Sequence, residues 1–199
     1  RRDTEALPKL EAIETNLEAE LADWIKKHGV TFEGENKIRG GTYEARSKAA
    51  QTRAMLNYQN GDQPGYYSME GGTRDYAHTL YHYAPKRVWD CSTYNDGTKY
   101  VTGDPSPSGP DGFTAGGFTE TELEHCAKVT GAVKIGDSVI YLRYAGDPVG
   151  HHVEVVYDPE KKQTTGHGDS AINIGCNGSW DIFGDGLWVI VRAPRHPSK

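Results

Sequence analysis

Three cysteines, Cys91, Cys126 and Cys176, and eight histidines are the residues of this chain best suited to covalent or acid–base chemistry. A cysteine nucleophile needs a thiolate, which a helix N-terminus and a nearby imidazolium favour. It also needs a histidine within hydrogen-bond reach and a third polar group to hold that ring. Cys91 lies in "KRVWDCSTY", residues 86–94, where Asp-Cys-Ser-Thr reads as the start of a helix. A helix beginning at Asp90 or Cys91 puts the thiol where unpaired backbone N–H groups converge. The N–H groups of Cys91 or Ser92 would then be placed to form an oxyanion hole. "NDG" at residues 95–97 predicts that this helix is short or interrupted.

Candidates for the base lie downstream. His152 opens "HVEVVYD", a β-branched run that reads as a strand. Residues 152, 154 and 156 share one face of such a strand, so Glu154 projects to the side of His152 and His151 to the other. His167 ends the next run, "KQTTGHG", after the short turn "DPEKKQ". Two neighbouring strands joined this way would set His152 and His167 side by side, with His167 orienting His152 and Asp169 as the alternative. The other thiols read differently. Cys126 in "LEHCAKV" falls on an apolar helical stripe and is expected in the core. Cys176 in "NIGCNGS" has no base beside it in sequence and reads as structural. His78 and His82 are spaced to share a helix face, but no His-Glu-x-x-His motif accompanies them, so no metal site is assigned. Trp89, Trp180 and Trp188 could line a sugar or peptide groove, although Trp188 sits inside an apolar run that suits a core.

The elements that must position these residues divide into helices followed by strands. Leu7, Leu10, Ile13, Leu17, Leu21, Trp24 and Ile25 recur at helical spacing over residues 5–28, and Gly29 ends the pattern. A glycine-containing connector, "FEGENKIRGG", leads to a second helix with Thr42 as its cap. A third helix is expected over 73–83, and "TETELEHCAKV" reads as a short fourth one. Residues 103–117, rich in Gly, Pro and Ser, read as a surface loop bordering the substrate groove. "KIGDSVIYLRY", "HHVEVVYD", "KQTTGHG" and "GLWVIVRAP" read as successive antiparallel strands. Helices first and strands afterwards indicate an α+β fold. Residues 1–65 are expected to be a helical N-terminal extension, and 66–199 the domain that carries the chemistry.

Composition narrows the function. The 199 residues carry a formal net charge of −6 without a long Lys/Arg run, which argues against nucleic acid as the partner. No apolar run is long enough to span a membrane. An odd number of unevenly spaced cysteines does not read as a disulfide framework.

In order, "DCST" at 90–93, "GDSVIY" at 136–141, "HVEVVY" at 152–157 and His167 resemble the NlpC-type papain-like cysteine peptidases of bacterial cell walls. Within that group they look most like the peptidase modules of actinobacteriophage endolysins. The resemblance spans roughly residues 75–192 and implies a papain-like core, helices packed on a small antiparallel sheet. It implies Cys91 as nucleophile, His152 as general base and His167 as third residue. Asp90, Ser92 and Tyr81 would border the oxyanion and substrate, with Tyr83 as the alternative to Tyr81. Thr93 stands where the family has glycine, and Glu154 where it has a small residue. The implied activity is cleavage of a peptidoglycan amide bond, in the stem peptide or cross-bridge, without metal or cofactor. The implied setting is synthesis in a host cytoplasm and action at the wall, with a further wall-binding domain outside this chain. From another class, a non-catalytic wall-binding or phage tail module would keep the same fold.

Overall fold

A computed structural model describes residues 6–33, 37–59, 90–102, 119–168, 172–182 and 186–193. The expected helix over 73–83, the loop 103–117, and His78, Tyr81, His82, Tyr83, Trp89 and Asp169 lie outside the described residues.

The chain opens with α1 (Ala6–His28), a hairpin of β1 (Thr31–Glu33) and β2 (Lys37–Arg39), and α2 (Tyr43–Gln59). Gly29, at φ +63°, ends α1 in the left-handed conformation, and the Val30 amide returns to the Ile25 carbonyl at 3.1 Å. The connector expected between the helices therefore holds a two-stranded sheet of its own. Thr42 caps α2 as expected: its hydroxyl accepts the Ala45 amide at 3.1 Å.

Next come α3 (Cys91–Thr102), α4 (Thr119–His125), β3 (Ala127–Lys128), β4 (Ser138–Tyr141), β5 (His152–Asp158), β6 (Gln163–His167), β7 (Ile172–Ile174) and β8 (Trp188–Arg192). The six later strands form one antiparallel sheet in the order β3-β8-β4-β5-β6-β7. The fold is α+β, with four helices and this sheet among the described residues. Two expectations shift. The helix expected over "TETELEHCAKV" stops at His125, because Ala127 and Lys128 pair with Arg192 and Val191 at the sheet edge. "NDG" does not interrupt α3, which runs through it to Thr102.

Both faces of the sheet are covered, and β4 is buried at every residue. One face carries Ile140, Val153, Val155 and Val191 and receives Cys91 and Tyr94 of α3. The other carries Val139, Tyr141 and Val156 beneath Cys176 and Trp180. The largest cluster joins Leu21 of α1, Ala49 and Met55 of α2, Tyr94 of α3 and Val155 of β5. The stretch set apart as an extension thus shares a core with the sheet. Polar bonds cross the same boundary: Gln51 Nε2 donates to the Val156 carbonyl at 3.0 Å, and Thr165 Oγ1 donates to Gln51 Oε1. Asp137, the acid of "GDSVIY", is buried and takes two bonds of 2.7 Å from Arg192, tying β4 to β8. No described helix is long and apolar enough to cross a membrane.

Candidate active site

Cys91 is the first residue of α3, and the Tyr94 amide closes the first turn on the Asp90 carbonyl at 3.0 Å. Ser92 Oγ donates to Asp90 Oδ1 at 2.9 Å, which fixes the entry to the helix. The backbone N–H groups of this first turn have no intrahelical acceptor, so they are available to a developing oxyanion. Cys91 is held in place by packing on Ile140 and Val153.

His152 is the first residue of β5, at the end of the sheet, paired with Tyr141 of β4. The Cys91 side chain is near enough to its ring to interact with it. Its Nε2 also meets Glu154 Oε1 at 3.0 Å. Burial pulls the imidazole pKa down, but the interactions with Cys91 and Glu154 outweigh it and raise it to about 10. His152 is therefore an imidazolium at neutral pH, the form that sustains a thiolate beside it.

Glu154 was expected to project toward His152 and does so, as the carboxylate that holds the ring. Only 4% of its surface is exposed. Its carboxylate lies across Gly166 on β6 and Gly175 after β7, where any Cβ would overlap it. The two glycines form the floor of a slot for the carboxylate. The sequence did contain part of this signal: an acid two residues after a histidine on one strand, and glycines at 166 and 175 downstream.

His167 takes a different place. Strand pairing brings Val155 opposite Thr165, and the Glu154 carboxylate lies against Gly166, the next residue of β6. His167 therefore shares a face with Thr165, the face that carries α3, while Glu154 lies over Gly166 on the other. His167 is buried, and its Nδ1 meets the Gly168 carbonyl at 2.7 Å. It is the carboxylate of Glu154 that meets His152 Nε2.

All three cysteines are free thiols. Burial raises the Cys176 thiol, which lies 3.0 Å from the Tyr141 hydroxyl, itself donating to the Trp180 carbonyl at 2.6 Å. Burial also pushes Cys126 up to about 12, with the charge of Glu122 adding to it. Cys91 is the thiol that lies beside an imidazole. Trp180 is buried against Tyr141 and Val156, and Trp188 packs at the edge of the same cluster, so both serve the core beneath the His152 side of the sheet. Among the described residues, no group of three or more His, Cys, Asp or Glu side chains is placed to hold a metal ion. No protein-family model, curated protein or solved structure matches the chain.

Proposed function

We propose that this chain is a papain-like cysteine peptidase that hydrolyses an amide bond of peptidoglycan, in the stem peptide or the cross-bridge, as the peptidase module of a phage endolysin. The observation that carries the catalytic part is the line Cys91–His152–Glu154: a thiol at a helix start, beside an imidazole that interacts with it and that a buried carboxylate holds in turn. The wall as substrate rests on the motif order described above. In this mechanism the Cys91 thiolate attacks the scissile carbonyl, and the first-turn N–H groups of α3 receive the charge on its oxygen. The His152 imidazolium gives its proton to the leaving amine, and a thioester remains. Neutral His152 then takes a proton from water, which displaces Cys91 and releases the acid. Glu154 keeps the ring in place throughout, and Asp90 and Ser92 hold the turn that presents the thiol.

The test is to incubate purified chain with sacculi from several bacteria, beside a Cys91→Ala control, and to identify released fragments by mass spectrometry. Fragments released only with the cysteine present support the peptidase, and their new termini name the bond. If no wall type yields fragments, the reading fails, and a non-catalytic wall-binding module with a packed thiol takes its place.

A further inference from the structure

A cavity of about 550 Å³ opens at the other end of β5 from His152, among α1, α2 and the β5–β6 hairpin. It is lined by Tyr157, five residues along the strand from His152, and so lies about 17 Å from that histidine at the usual rise of a strand. Its volume suits a peptide of two or three residues.

The chemistry of the lining is specific. Lys48 extends between two aromatic rings, its Nζ 4.6 Å from the centre of Trp24 and 4.7 Å from that of Tyr157. Trp24 is fixed by its indole N–H, which donates to the Ala45 carbonyl at 2.9 Å. Burial lowers the Lys48 pKa, the charge of Asp158 opposing this, so the ammonium has lost part of its water shell. No carboxylate stands within 4 Å of it among the described residues, and its three N–H donors have no acceptor there. Asp158 is already engaged, accepting the Glu160 and Lys161 amides at 3.0 and 3.1 Å. Glu20, Asp23 and Lys27 of α1 and Lys161 of the β5–β6 turn also line it. Charges of both signs therefore surround an aromatic floor with a partly dehydrated cation in it.

We propose that this cavity binds a short zwitterionic peptide, with its carboxylate on Lys48, its ammonium toward Glu20 and Asp23, and its apolar part on Trp24 and Tyr157. Such a peptide is what a wall stem ending in a diamino acid offers, and this choice of peptide rests on the peptidase reading. The zwitterion chemistry does not.

The test is a calorimetric titration of the Cys91→Ala chain, which cannot turn substrate over, with L-Ala-γ-D-Glu-meso-diaminopimelate. Glutarate and cadaverine serve as probes carrying only the anion or only the cations. The tripeptide should bind at least about tenfold more tightly than either, and Lys48→Met, which keeps an unbranched stem between the rings, should weaken it by about tenfold or more. A tripeptide no tighter than the single-sign probes, or unaffected by Lys48→Met, would overturn the proposal. Amide and indole shifts on titration give a measurement that needs no variant. They should centre on Trp24 and the β5–β6 hairpin, and shifts centred on residues 91 and 152 instead would also overturn it. Binding without wall cleavage by the cysteine-bearing chain sinks the peptidase reading alone. Cleavage without binding here sinks this inference alone.

Discussion

Glu154 is the residue on which the chemistry of His152 turns. A neutral amide in its place keeps the shape of the slot over Gly166 and Gly175 but removes the negative charge on the ring. Glu154→Gln should therefore lower the imidazolium pKa from about 10 and bring the alkaline limb of kcat/KM down with it. The maximal rate should fall by about a hundredfold, because the thiolate–imidazolium pair is less populated. A pH–rate profile of the two proteins on the same wall substrate checks this, and an unmoved alkaline limb would refute it. The same raised pKa links to stability. His152 binds its proton more tightly folded than unfolded, so its contribution is full below the ordinary histidine pKa near 6.5. It declines as pH rises through the folded value of about 10. Thermal midpoints should fall across that window, and less so in Glu154→Gln. At this scale the sequence was informative about residue types and faces. It placed Cys91 at a helix start and Glu154 on the side of His152. It was silent on strand register, and register is what sets Thr165 opposite Val155 and so turns His167 to the face opposite Glu154.

At the scale of the element, α3 shows why "NDG" misleads. Asn95 and Asp96 favour turns where their side chains can bond the local backbone, and Gly97 weakens a helix. Here Asn95 Nδ2 donates instead to Glu122 Oε1 at 2.6 Å. Lys99 Nζ donates to the same oxygen at 2.8 Å, to Asn95 Oδ1 at 2.9 Å and to Ser138 Oγ. A buried polar cluster thus joins α3 to α4 and β4, and it absorbs the groups that would otherwise break the helix. Such long-range partners leave no local trace, which is why the helix length was not legible although its start was. The strands were legible from β-branched runs, whereas the two residues of β3 and three of β7 are too short to show a period. Lys99→Met should destabilise the fold by about 3–5 kcal/mol, since it strands the Glu122 carboxylate in a dry site. Adding Glu122→Leu should recover most of that loss. Urea unfolding of the single and double variants measures both, and a double variant no better than the single would show that the ion pair itself, not the orphaned charge, is what matters.

For the whole molecule the question is whether the N-terminal helices are an appendage or half of the core. Composition and periodicity favoured an appendage because α1 and α2 precede every motif that carries chemistry. The packing argues otherwise in physical terms. Leu21, Ala49 and Met55 share a buried cluster with Tyr94 of the cysteine helix and with Val155 and Ile172 of the sheet. The Tyr94 hydroxyl donates to Thr165 Oγ1 at 2.7 Å, which donates on to Gln51 of α2, so the helix that begins with Cys91 is braced through the sheet to α2. Removing residues 1–65 would expose that cluster to water and leave buried carbonyl and hydroxyl groups unpaired, each at about 1–3 kcal/mol. Those losses together exceed the net stability of an ordinary domain. A chain beginning at residue 66 should therefore show no cooperative thermal transition and release no wall fragments, while Gln51→Ala in the full chain should unfold cooperatively with its stability reduced by about 1–3 kcal/mol. Calorimetry on the two proteins decides the matter: a sharp transition in the shortened chain would mean that the sheet and the cysteine helix hold together alone, and that α1 and α2 only cover them.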